Sequence, residues 1–281
     1  PQVGAAEVQP ETVASPDIPP VPGAEATSGR KAVPAAYADR IGPRRTAAAA
    51  ARGGTEETER AVQAALEWLV RNQSSDGRWN AARHGAGSGS AATGQHAATV
   101  GARSDHGVTG LALLAFLGAG TTHRDGPHAV AVAKGIGMLA QRQRADGSLA
   151  GDAEFFAALY CHGMASIAVA ECYALTGDEA LRPVLERAVA YTLAMQHSHT
   201  GGWRYAAGDR GDTSQLGWQV MLLASARHAG LTGFEAAEAG ARSFLQSVAS
   251  GTAGGLAAYR PGERPSVAMT AESLFCRLLL G

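Results

Sequence analysis

The sequence predicts an all-α fold of stacked helical hairpins in two concentric layers, on three observations. From about Glu56 onward, an aromatic residue or Met, then Gln, then Gly-x-Trp or Gly-x-Leu recurs in one register. Each recurrence follows one apolar-striped segment and precedes another that is apolar nearly all round. No stretch sustains the period-two alternation of a strand. One helical hairpin cannot bury both of its apolar faces, and stacking on neighbours does so.

Residues 1–55 read as a disordered Pro/Ala-rich linker. Pro10, Pro16, Pro19, Pro20, Pro22, Pro34 and Pro43 lie among Ala, Gly and Val without periodicity. Such a segment buries too little apolar surface to offset its ordering entropy. The expected role is a tether, for example to a membrane, for the repeat domain at 56–281. The chain starts at Pro1 without a signal-peptide pattern and is read as an excerpt of a longer protein.

Four segments make the repeat. They are Trp68, Gln73, Gly77 and Trp79; Met138, Gln143, Gly147 and Leu149; Tyr191, Gln196, Gly201 and Trp203; and Phe244, Gly254 and Leu256, with Ala249 where Gln is expected. Gly147, Gly201 and Gly254 fall 54 and 53 residues apart. Gly77 precedes Gly147 by 70 because an insert from His84 to Arg103, with the composition of a flexible surface loop, lengthens the first turn. Before each motif runs an amphipathic helix, with stripes such as Ala61, Ala65, Trp68 and Leu69. The glycine ends it. After each motif comes a more apolar helix, at about 106–118, 160–175, 213–229 and 266–280. Its small-residue pairs, Thr109-Gly110, Met164-Ala165, Leu216-Gly217 and Thr270-Ala271, repeat with the same period. The apolar helices are expected inside. The amphipathic ones, with Glu59, Arg60, Glu67, Glu186 and Arg187, are expected to face water.

Composition narrows the function. A formal net charge of -1 and scattered arginines give no nucleic-acid surface. The longest apolar run, Leu111 to Leu117, is too short to span a membrane, so no transmembrane segment is expected. Cys161, Cys172 and Cys276 are too few for a disulfide scaffold and read as buried free thiols.

Gln73-Ser-Ser-Asp-Gly77-Arg-Trp79, Gln143-Arg-Ala-Asp-Gly147-Ser-Leu149 and Gln196 through Gly201-Gly202-Trp203 resemble the QW repeats of the squalene-cyclase and prenyltransferase superfamily. The resemblance covers about residues 56–281 and implies an α/α toroid. Four hairpins imply an incomplete ring or horseshoe, or a ring finished by residues outside this chain. The resemblance also implies that the motif Gln and Trp lock an outer helix to its following turn, a structural role.

Catalytic signatures of the superfamily are not found. The nearest match to its Asp-x-Asp-Asp-Thr acid motif is Asp209-Arg-Gly-Asp212-Thr213-Ser214, which puts Gly211 at the proton-donor position. Asp212 is then expected to cap the helix starting near Thr213, and remains the one candidate catalytic residue. Cys161-His162 is an isolated pair, too few ligands for zinc, so no metal and no cofactor is expected. The thioester motif of related toroids, a nucleophile elbow and a P-loop are absent.

A set of polar residues remains at or near the starts of the inner helices. Asp105, His106, Tyr160, His162, Asp212, Gln215, Trp218 and Glu272 are the candidate ligand-binding residues, as one ring at the mouth of a central cavity. Capping is the plainer role of the same residues. Glu171 and Glu272 stand out as carboxyls within apolar helices. The expected function is a repeat domain without a recognisable catalytic motif, binding a protein partner or an apolar or isoprenoid small molecule. The alternative is a terpene cyclase or prenyltransferase-type enzyme on an isoprenoid substrate, its catalytic residues unrecognised or outside this chain.

Overall fold

The computed structural model describes residues 32–87 and 101–281, and its regular structure is almost all helical. A 3-10 turn at Ala35–Arg40 and helix α1 (Pro43–Ala51) come first. Four helix pairs follow. The amphipathic members are α2 (Glu56–Arg71), α4 (Ala129–Gln141), α6 (Arg182–Met195) and α8 (Glu235–Ser247). Their apolar partners are α3 (Asp105–Gly118), α5 (Ala158–Thr176), α7 (Thr213–His228) and α9 (Val267–Leu280). Helices α3, α5, α7 and α9 pack side by side in a row, and α4, α6 and α8 pack onto that row.

The row is tight because its contact points are small. Gly107 of α3 abuts Cys161, and a Cβ on Gly110 would stand 2.6 Å from the Met164 carbonyl oxygen. From Cys161 to Thr176, every residue of α5 except Met164 is buried. No segment able to span a membrane is expected from the sequence, yet α5 is long and apolar enough to do so. Burial between its neighbours in the row accounts for that composition. Helix α9 departs from the expectation that inner helices are enclosed. Val267, Leu274, Phe275 and Leu278 are exposed, because α9 has a row neighbour on one flank.

The repeated motif ties each turn to two helices. Gln73 Nε2 donates to Gly77 O and to Ala131 O of α4, both at 2.9 Å. Gln143 does the same to Gly147 O and Val184 O of α6, and Gln196 to Gly201 O and Ala237 O of α8. Each acceptor in the next helix is its third residue. One helical turn further on, the carbonyls of Lys134, Arg187 and Gly240 press against Gly77, Gly147 and Gly201, where a Cβ would collide. These glycines also have positive φ, so the position excludes other residues twice over. The indoles reach back to the preceding helix: Trp79 Nε1 donates to Leu69 O and Trp203 Nε1 to Thr192 O, carbonyls in the last turn of that helix. Trp79 is 3% exposed and Trp203 0%.

One expectation is corrected. The linker reading fails over 32–55, where α1 forms and Tyr37 is buried. Prolines stand where helices accept them: Pro34 precedes the 3-10 turn and Pro43 is the first residue of α1. The rest of that reading, residues 1–31, lies outside the described residues, as does 88–100 of the first-turn insert. The fourth turn holds a two-stranded ladder, β1 (Ala249–Ser250) against β2 (Leu256–Ala257). It forms where the motif has Ala249 in place of Gln.

Candidate functional site

The α-helical repeat of 3.6 residues per turn sorts the row's side chains by direction. On α5, His162 points to α6, and Tyr160, Met164, Ile167 and Glu171 lie on the opposite side. On α7, Gln219 points to α6, and Ser214, Met221 and Ser225 lie away from it. Trp218 sits between that side and α5, its Cβ against Gly163. Helix α3 adds Val108 and Leu111, and α9 adds Glu272 and Phe275. These residues form one face of the row, hereafter the inner face, turned away from the amphipathic helices. It is mainly apolar and partly wet: Leu111 is 43% and Phe275 46% exposed.

Asp212 organises the end of this face at the helix starts. Its backbone is extended, and its buried carboxylate caps α7 by accepting from Gln215 N at 2.8 Å. It also accepts from Ser214 Oγ (3.0 Å), Arg204 Nε (3.1 Å) and the Tyr259 hydroxyl (2.8 Å). The network extends both ways. Ser214 Oγ meets the Tyr160 hydroxyl at 2.5 Å, and Tyr259 meets the Tyr205 hydroxyl at 2.9 Å. Burial, with a contribution from the Asp212 charge, pushes the Tyr160 phenol up to about 12 despite its Ser214 bond. The Glu272 carboxyl rests against Gly217, where a Cβ would collide with it. Burial first, then Asp212, raise it to about 7. Phe155 and Phe156 pack edge-on to each other and against Tyr205 beside this cluster, and Phe155 holds a positive φ of 38°.

The predicted ring therefore divides. Tyr160, Asp212 and Glu272 come together, with Trp218 one turn below Ser214. Asp105 does not join them: it accepts from Ala81 N and Asn80 and pairs with Arg78, closing the first turn onto α3. His106 bonds Leu149 O through Nδ1, and burial lowers its pKa. His162 accepts from Leu149 N at 3.1 Å, so its other nitrogen donates to Thr192 Oγ1. Thr192 donates to Gln219, and Gln219 to Leu159 O, a relay sealed inside the protein. Burial holds the His162 imidazole neutral, with a pKa of about 3. Gln215 is buried with neither amide atom hydrogen-bonded. The mouth-ring expectation thus fails for Asp105, His106 and His162, whose polar atoms serve backbone groups of the turns.

The other end of the row carries groups that the sequence did not flag as a site. His123 Nδ1 lies 3.0 Å from Cys172 Sγ and its Nε2 lies 2.7 Å from Asp178. This has the shape of a Cys-His-Asp triad without its chemistry. Cys172 is fully buried, and burial pushes its thiol up to about 12, away from the thiolate a nucleophile needs. Glu171, the other unexpected carboxyl, pairs with Arg40 at 2.5 Å. Among the described residues, no three His, Cys, Asp or Glu side chains are placed to hold a metal.

The polar cluster had one signal in the sequence. Tyr160 and Ser214 are 54 residues apart, as are Tyr205 and Tyr259, one repeat length in each case. Equivalent positions of successive hairpins meet there. In comparisons with known proteins, no family model and no curated protein matches the chain.

Proposed function

We propose that the chain is a QW-repeat domain of the squalene-cyclase and prenyltransferase type, an incomplete ring or horseshoe whose inner face binds an apolar, isoprenoid-like molecule without cyclising it. One observation carries this reading: polarity along the inner face lies at its ends. Tyr160, Ser214 and Glu272 sit together at the helix starts, Glu171 and Ser225 lie at the other end, and Leu111, Met164, Trp218, Met221 and Phe275 supply an apolar surface between them. A few convergent polar groups beside an apolar hollow are the usual form of a small-molecule site.

The polar end selects the ligand's head. Asp212 and Glu272 set carboxyls there, and the nearby Arg204 is engaged by Asp212. That field suits a hydroxyl or an amine and opposes a phosphate or diphosphate. The same geometry argues against cationic cyclisation. Protonating an alkene needs an acid that donates, and Asp212 accepts four hydrogen bonds as a cap and an ion-pair partner. The aligned donor position is Gly211, which has no proton to give.

The test is a titration of intrinsic tryptophan fluorescence with a linear prenyl alcohol and with its diphosphate. The expected result is saturable binding of the alcohol, at least tenfold weaker binding of the diphosphate, and loss of both in Met164→Glu. No saturable response to either compound would reject the reading. A protein partner is the second reading, favoured by one feature: Val267, Leu274 and Leu278 form an exposed apolar stripe along the free flank of α9.

A further inference from the structure

We infer that Tyr37 and the Arg40–Glu171 pair form the floor of the inner face and set the length of apolar chain that it accepts, an inference that rests on the binding reading above. The segment from Val33 to Ile41 crosses the row at its far end. Tyr37 is buried, packs edge-on to His228 of α7 at 5.6 Å, and is hydrogen-bonded to Ser225. The Arg40 guanidinium lies over the Tyr37 ring at 4.5 Å and pairs with Glu171 of α5. The Arg40 carbonyl presses on Gly120, just beyond α3. Val33 and Ile41 pack on the core on either side. One short segment thus touches the ends of three helices of the row.

Its contacts fall on the face that the ligand would use. Glu171 continues the line of Tyr160, Met164 and Ile167 on α5, and Ser225 continues that of Ser214 and Met221 on α7. On each helix, 11 residues separate the polar end from the floor, about 16 Å at 1.5 Å per residue. Exposure along these lines changes accordingly. Met164 and Met221 are half-buried, whereas Ile167, Glu171 and Ser225 are buried. An apolar chain entering beside Tyr160 runs down an apolar surface and then meets a phenol ring backed by an ion pair. Going further would mean displacing Tyr37 and stripping a buried carboxylate of its partner, which is strongly unfavourable.

The experiment uses the full chain and straight-chain primary alcohols from octanol to octadecanol, with affinity read from tryptophan fluorescence. While the chain is short of the floor, each added CH₂ should tighten binding about fourfold. The gain should stop at one chain length in the wild type. Tyr37→Ala should move that break to longer alcohols and Tyr37→Trp to shorter ones. The opposed pair keeps the test open if the alanine variant folds poorly. A break at the wild-type length in the folded variants would overturn the floor and leave the binding reading standing. Absence of binding by any alcohol would overturn both.

Discussion

The turn from Gln196 to Trp203 and the turn from Ala249 to Leu256 hold the same place in consecutive hairpins and are built differently. In the first, Gln196 reaches forward to α8, Gly201 lies under the Gly240 carbonyl, and Trp203 is fully buried. In the second, Ala249 has no side chain to reach with, and a Cβ on Gly254 would meet open space. Leu256 is 48% exposed, and a two-residue ladder closes the turn. The difference shows what the motif is for. Gln and Gly serve the next helix and Trp the preceding one. Where the fourth turn has no such helix to bind among the described residues, the chain uses local strand pairing instead. The motif therefore reports stacking, and function must come from the residues between motifs.

Deleting the matched apolar groups should give the largest contrast. Trp203→Ala should cost about 3–5 kcal/mol, as deletion of a buried aromatic does. Leu256→Ala should cost about 0.5 kcal/mol, within the range of surface changes. Urea denaturation midpoints measure both, and equal losses would break the distinction between the turns. The glutamine contrast is smaller. Gln143→Ala removes two hydrogen bonds to backbone carbonyls and should cost about 2 kcal/mol. Ala249→Gln should stay within about 0.5 kcal/mol of wild type. A clear gain from Ala249→Gln would mean that the fourth turn is an unfinished copy of the others.

The carboxyls of the inner helices extend the comparison to charge. Glu171 in the second hairpin is paired with Arg40, whereas Glu272 in the fourth has no ion-pair partner among the described residues and is raised to about 7. Its unfolded value is near 4.5, so between the two values the folded state binds more protons. Stability contributed by this group is present below pH 4.5 and is lost as pH rises toward and through 7. Glu272→Gln should therefore raise the melting temperature at pH 8 and leave it unchanged at pH 4. The gain should be on the order of 1 kcal/mol, since partial exposure screens the carboxyl. An equal change at both pH values would assign the effect to packing.

Much of the fold was legible because it repeats. The period placed all four helix pairs, and the apolar character of 160–175 and 213–229 placed α5 and α7 inside. Asp212 was legible as a cap because Asp before a helix accepts its first N–H groups. The segment from Val33 to Ile41 and helix α1 were not legible. Pro34 and Pro43 resemble linker residues until the structure shows each at the start of a turn or helix. Tyr37 is one aromatic with no periodic context. Glu171 was the available clue: a carboxyl in an apolar helix calls for a partner, and Arg40 is 131 residues away in sequence. His106 and His162 were misplaced for a similar reason. Their bonds go to the backbone of Leu149, and backbone partners leave no trace in residue identity.

Under the proposed function, the inner face holds an isoprenoid-like molecule and leaves it unchanged. The direct measurement is mass spectrometry of the compounds extracted from the purified protein after incubation with squalene, a linear prenyl alcohol and a linear prenyl diphosphate. The prenyl alcohol should be recovered with the protein, uncyclised, and no cyclic product should form from any of the three. Reproducible cyclic product that disappears in Asp212→Asn would contradict it and make Asp212 the acid.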